Sequence, residues 1–374
     1  MEILILLIVV IVAALVFEYI NGFHDAANAI ATVVSTKVLT PRRAVMYGAS
    51  LEFVGALLGT HVATTVGKGI VATECVTQVV ILSALLGAIS WNLFTWYKGL
   101  PSSSSHALIG GLIGAAVVHS SGFGSVNAEK VYQKVLIPMV TSPVLGIGFG
   151  FIFMVILMHM FFKANPERVN KHFRKLQLFS SGLMALSHGS NDAQKTMGIM
   201  ALALYSSGYM KDFHIPLWVI MLCAITMASG TMSGGWKIIR TMGSKVIKLK
   251  PIHGFAAETS AATIILTASH MGIPLSTTHV ISTSIMGVGA SQRLSAVKWG
   301  VVSNIVTAWV LTIPACMVLA GLSYFIISNA NMMILLGLVA VIVAIVIISF
   351  ILKSMNKETV ALPQDIAQPE EIVK

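Results

Sequence analysis

Charge is scarce in this chain. Asp, Glu, Lys and Arg make up 10% of its 374 residues, against roughly 25% in a soluble domain. Set beside 56% hydrophobic residues, that scarcity excludes a soluble globular protein, whose core cannot absorb so much apolar surface. Cysteine is nearly absent too. Cys75, Cys223 and Cys316 are scattered, with no CxxC pairing, which excludes a disulfide framework or a thiolate metal centre. There is no Gly-rich Walker sequence, so no motif supports ATP-driven work. Acids number 14 against 24 bases, for a net charge of +10. In a membrane chain such an excess reflects basic cytoplasmic loops rather than a nucleic-acid partner.

Long apolar stretches are abundant. A transmembrane helix needs about 20 mostly apolar residues. Residues 3–20, 44–60, 76–97, 135–162, 214–235, 298–327 and 331–352 qualify, and 177–206 qualifies with polar residues embedded. The first stretch follows no basic segment, and Glu18 precedes no small-residue cleavage site. It is therefore expected to be a mature helix, not a signal peptide.

Two motifs recur. "NGFHDAANAIAT" (21–32) resembles "HGSNDAQKTMGI" (188–199), which aligns Asp25 with Asp192. "PSSSSHALIGGLIG" (101–114) resembles "PLSTTHVISTSIMG" (274–287), which sets Ser103, Ser104, Ser105 and His106 on Ser276, Thr277, Thr278 and His279. Same order and nearly constant offset imply two homologous halves. The basic residues predict their orientation. With residues 1–35 crossing inward, loops 36–43, 163–175 and 236–250, the residues around 293–298 and the tail all lie inside. They hold 18 of the 24 lysines and arginines, as the positive-inside rule asks. An odd number of crossings in the first half then makes the second half inverted.

The expected fold is an all-α polytopic membrane protein of two inverted-topology repeats with re-entrant or broken helices. Residues 1–162 form the first repeat and 163–176 a cytoplasmic basic linker. Residues 177–352 form the second repeat with a terminal helix, and 353–374 a polar cytoplasmic tail. This architecture belongs to transporters, whose site lies near the midplane where the repeats meet.

The serine-rich stretches would be the tips of two hairpins, 76–118 and 254–290. Pro101 and Pro274 end an apolar segment, and Ser and Thr behind them cap a new helix, resuming near His106 and His279. Each tip then offers free N–H groups, a positive dipole end and hydroxyls, which together make an anion site. The plainer alternative is close helix packing through small residues. An acid inside a membrane segment marks function by default. Asp25 and Asp192, with amide oxygens from Asn28, Asn191 and Gln194, suit a hard cation; Gly22 and Gly189 would permit local unwinding there. Here the alternative is a polar network, such as Asp192 paired with Lys195. Glu52 and Glu258 also lie in apolar segments, as proton carriers, cation ligands or structural pairs, and His24 can titrate in the working pH range.

"GFHDAANAIAT" and "GSNDAQKTMG", with "PSSSSH" and "PLSTTH", resemble the inorganic phosphate transporter (PiT) family over nearly the whole chain before the tail. The resemblance implies inverted repeats importing inorganic phosphate by symport with a cation. Carried over by motif position, it puts Ser104, Ser105, Thr277, Thr278, Gln194 and Lys195 around phosphate. It puts Asp25, Asn28, Asn191 and Asp192 among the cation and phosphate ligands; Ser103 and Ser276 are further candidate sodium ligands, and His24, Glu52 and Glu258 are candidate coupling acids. His24 departs from the common G-A-N-D form of the motif, so a proton-coupled or metal–phosphate symporter, or a related sulfate permease, is the alternative. No cofactor is implied beyond sodium as co-substrate. The expected setting is the plasma (inner) membrane, with the N-terminus outside, the C-terminus cytoplasmic and a homodimer as the assembly.

Two rival classes fit less well. A Ser105–His106 nucleophile–base pair would make an enzyme, but neighbours in sequence point apart on a helix. An anion channel would not need buried acids beside its anion site.

Overall fold

The computed structural model describes residues 2–69, 71–72 and 75–329. The expected helix over 331–352 and the polar tail lie outside the described residues. The chain divides into two compact units, Met1–Phe325 and Ile326–Lys374, and the site lies in the first.

Among the described residues the fold is all-α. The first half holds α1 (Glu2–Ser35), α2 (Pro41–Ala56), α3 (His61–Gly69), α4 (Gln78–Lys98), α5 (Ser104–His119), the short α6 (Ala128–Val131) and α7 (Ile137–Met160). The second holds α8 (Pro166–Ser206), α9 (Leu217–Ser233), the short α10 (Trp236–Arg240), α11 (Pro251–His270), α12 (Thr277–Gln292) and α13 (Trp299–Ser328). Among the described residues, four single spans are long and apolar enough to cross a membrane, and two bent pairs add one each: α2 with α3 at 72°, and α9 with the helix after it at 62°. The basic residues 166–176 are the first turns of α8, which begins at Pro166 behind an Asn165 N-cap.

Local chemistry sets the breaks. Gly99 closes α4 in the left-handed conformation (φ 67°), which only glycine adopts cheaply. Pro101 then keeps the chain extended, and Ser103 caps α5 by accepting from His106 N at 3.2 Å. The second tip repeats this. Gly272 (φ 64°) follows α11, and Ser276 caps α12 from His279 N at 3.3 Å. Both helices resume two residues earlier than expected, at Ser104 and Thr277, because the cap is the serine three residues before each histidine.

The expected unwinding at Gly22 and Gly189 does not occur; α1 and α8 run continuously through both. These glycines let helices cross in contact instead. A Cβ on Gly22 would sit 2.2 Å from Met227 O of α9, and one on Gly189 would sit 2.1 Å from Glu52 O of α2. The hairpins do the same. Gly114 of α5 closes on Met317 of α13, and Gly287 of α12 on Ile147 of α7. Each half therefore packs its motif helices against the other half. Within the first hairpin, a Cβ on Gly111 would lie 2.5 Å from the Ala84 carbonyl oxygen. Backbone cannot yield as a side chain can. Gly111→Ala is expected to lower stability by about 1–3 kcal/mol, the usual cost of overpacking, measured as a drop in melting temperature of the purified protein.

Candidate functional site

The two aspartate helices, α1 and α8, pack against each other, and both hairpin tips reach them. The candidate site side chains are buried: Asp25 is 3% exposed, Asp192 1%, Lys195 3% and Ser105 5%. The site is closed to solvent in this conformation.

The second tip faces the carboxylates. Thr277 Oγ1 donates to Asp192 Oδ2 at 2.7 Å, and Thr278 Oγ1 to Asp25 Oδ1 at 3.4 Å. Asn28, one turn after Asp25, donates Nδ2 to both threonines, at 3.2 and 2.9 Å. The first tip faces the cation. Lys195 Nζ donates to Ser105 Oγ, to Asp192 Oδ1 and, at 2.7 Å, to Leu275 O of the second tip. Lys195 thus ties both tips to Asp192. Ser104 Oγ is buried and has no protein partner. Because Ser103 and Ser276 serve the third amide of each helix, the first amides of α5 and α12 stay free for a ligand. The tips also meet behind the site. The His106 and His279 rings stand edge to face at 4.9 Å, and His279 lies against Trp309 at 4.0 Å. These histidines pack.

His24 Nδ1 lies 2.7 Å from Asp25 Oδ1, and its Nε2 lies 3.0 Å from Thr95 Oγ1. With Nδ1 donating to the carboxylate, Nε2 is left to accept from hydroxyls. His24 therefore orients Asp25. Asn191 donates to Ser269 Oγ at 2.8 Å, and its Oδ1 is buried without a partner, an oxygen available to a cation. Gln194 is spent elsewhere. Its Oε1 accepts from Val62 N at 2.8 Å at the start of α3, and its Nε2 donates to Ser190 O at 2.6 Å.

Glu52 and Glu258 sit in separate networks. Glu52 Oε1 lies 2.8 Å from His188 Nδ1 and its Oε2 accepts from Thr231 Oγ1; the His188 Nε2 lies 3.0 Å from Asp192 Oδ2. Glu258 accepts from Thr32, Ser180 and, at 3.2 Å, Gln177 Nε2, all neutral donors. Sequence reasoning missed two residues. His188 opens the second motif and lies four residues before Asp192, so helix periodicity alone puts them on one face. Glu18, 0% exposed, hides near the end of a long apolar stretch, seven residues before Asp25. One ligand atom each from Asp25, His188 and Asp192 lie within 4.8 Å of one another, close enough to hold one cation.

A family model described as the phosphate transporter family matches residues 21–167 and 162–320. A "probable low-affinity inorganic phosphate transporter" of Rhizobium meliloti is 49% identical over 322 residues, covering 86% of this chain and 96% of that protein. One of Bacillus subtilis with the same description is 46% identical over 328 residues, covering 87% and 98%. Among solved structures, one titled "The sodium-dependent phosphate transporter" aligns with TM-score 0.81 at 27% identity, over 87% of this chain and all of that one.

Proposed function

The chain belongs to the phosphate transporter family, and from that premise we propose that it imports inorganic phosphate by symport with a cation, sodium foremost. The family is one of transporters, not enzymes, and the chain is a multi-pass membrane protein of that fold. One observation carries the proposal: two buried carboxylates and two hydroxyl-bearing helix tips form one network, joined by Asn28 on one side and Lys195 on the other.

In this reading phosphate lies between the tips. The free amides of α5 and α12, Ser104, Ser105, Thr277 and Thr278 donate to its oxygens, and Lys195 offsets its charge. Thr277 and Thr278 turn their hydroxyls from the aspartates to the phosphate. Sodium then takes those places beside Asp25 and Asp192, with Asn28 and Asn191 supplying amide oxygens. Each ligand needs the other: carboxylates repel a lone phosphate, and a cation between them removes the repulsion. That mutual support is the coupling. Ser103 and Ser276 act through the caps they make, and Gln194 braces α3. We place the protein in the inner membrane as two inverted repeats, with the N-terminus outside and the C-terminus inside, assembled as a homodimer.

A second reading has one specific observation in its favour. The Asp25–His188–Asp192 donor set includes an imidazole, which suits a divalent transition metal better than sodium, so a metal–phosphate pair is the alternative cargo.

Uptake of labelled phosphate into proteoliposomes tests both, with an inward sodium gradient, an inward proton gradient, no gradient, or a divalent metal outside, and with sulfate as competitor. Uphill uptake with sodium supports the first reading. Asp25→Asn is expected to remove the sodium response. Intact uptake with unchanged sodium dependence in that variant would show that Asp25 is no cation ligand. Equilibration without any gradient would favour a channel.

A further inference from the structure

Glu18 is the buried acid that this scheme leaves unused. It lies two turns before Asp25 on α1, about 10 Å along the axis. Its Oε2 accepts from Thr196 Oγ1 of α8 and from Asn21 Nδ2 at 3.5 Å. Its Oε1 has no protein partner, and neither has the Oδ1 of Asn21. Both side chains are at least 98% buried. No lysine or arginine pairs with Glu18 among the described residues; the ionisable groups facing it are His188 and Asp192 on α8 and Cys223 on α9. His188 is already held between Glu52 and Asp192.

An ionised carboxyl here would leave two buried acceptors without donors and a charge without a counter-charge, which a bilayer interior penalises heavily. A single proton removes both faults. It turns Oε1 from a bare acceptor into a donor, and the amide whose Nδ2 reaches Oε2 carries in its Oδ1 an acceptor that lacks one. Sodium fits less well. The cluster offers few oxygens, and Cys223, which faces it, has its Sγ 3.5 Å from Met200 Sδ, soft groups that a hard cation avoids.

We propose that Glu18 is a proton-binding site of the transport cycle, taking one proton from the outside as phosphate binds and releasing it inside after phosphate leaves. The coupling is electrostatic and runs along α1 and α8. Thr196 lies one turn beyond Asp192 on α8, so Glu18 and the central carboxylates share both helices. An ionised Glu18 repels Asp192 and any phosphate beside it. Arrival of the anion therefore strengthens the carboxyl's hold on its proton, and departure weakens it. This rests on the transport reading but names a second coupled ion, bound apart from the cation between the aspartates.

The test holds external pH and sodium fixed on both sides of the proteoliposome membrane and raises only internal pH. Wild-type phosphate uptake is expected to accelerate. Glu18→Gln, which mimics the neutral acid, is expected to lose that acceleration while keeping its response to a sodium gradient. A full response to internal pH in Glu18→Gln would overturn the proposal. Infrared difference spectra of the purified protein on adding phosphate give a second readout, independent of transport. The carbonyl band of a neutral carboxyl should grow in wild type and be absent from Glu18→Gln; its persistence in the variant would assign it to another acid and overturn the proposal. Should wild type take up no phosphate under any gradient, the transport reading fails, and the infrared band still decides for Glu18.

Discussion

Asparagine in place of Asp192 is expected to abolish cation-driven phosphate uptake. The Asp192 carboxylate is the meeting point of the site. It accepts from Lys195 Nζ and, at 2.7 Å, from Thr277 Oγ1, and it lies 3.0 Å from His188 Nε2. An amide oxygen can still accept from Thr277, so the second tip should stay in place. The charge is what goes. Without it the cation loses one of two anionic ligands, and Lys195 loses its buried counter-ion. Breaking such a pair costs about 3–5 kcal/mol when one partner is removed, a large share of the roughly 5–15 kcal/mol that holds a domain together. The variant must therefore be checked for folding by size exclusion and melting temperature before its transport is read. In folded protein we expect sodium-driven uptake to fall by at least about a hundredfold, equivalent to about 2.7 kcal/mol. Phosphate binding at saturating sodium should weaken less, because Ser105, Lys195 and the helix amides remain. Unchanged sodium dependence would remove Asp192 from the cation site.

Much of this arrangement was legible in the sequence, for a physical reason. A bilayer tolerates broken backbone and buried acids only where they are used, so Pro101, Pro274, Asp25 and Asp192 stand out against an apolar background. The repeat made each signal double. Backbone rules placed the hairpin tips, and the cap chemistry of Ser103 and Ser276 followed from them. What stayed hidden depends on packing between segments far apart in the chain. Gly22 and Gly189 read as points of unwinding; Met227 O and Glu52 O, 2.2 and 2.1 Å from where a Cβ would stand, show that they serve close approach instead. Gln194 read as a site ligand because it offers an amide oxygen two residues after Asp192, yet its side chain turns to the amides of Val62 and Ala63. The division of labour between the tips was equally invisible. Sequence makes Ser104–Ser105 and Thr277–Thr278 equivalent, whereas the structure gives the threonines to the carboxylates and Ser105 to the lysine. Glu18 escaped because its partner Thr196 lies on α8, 178 residues away.

Lys195→Met is the second change expected to stop transport, and pairing it with Asp192→Asn separates structure from function. Lys195 holds three acceptors that belong to three elements: Ser105 of the first tip, Leu275 of the second and Asp192 of α8. Methionine fills similar space without the charge. Asp192 is then left buried with no lysine or arginine beside it among the described residues, and the tips lose the link between them. Charge-assisted hydrogen bonds are worth about 1.5–3 kcal/mol, so the loss of the lysine alone predicts phosphate affinity lower by about ten- to hundredfold. The single variant should also be less stable, for the reason given for Asp192→Asn. In the double variant neither charge remains unpaired. Its melting temperature should recover above that of either single variant, giving a coupling between neighbours in the usual range of about 0.5–3 kcal/mol. Uptake should not recover with it, because the cation has lost a carboxylate and the phosphate has lost its ammonium. Recovery of stability without recovery of transport means that the pair is functional as well as structural. Recovery of both would mean that Lys195 and Asp192 serve only each other, and would leave the cargo to Asp25, Asn28 and the helix amides.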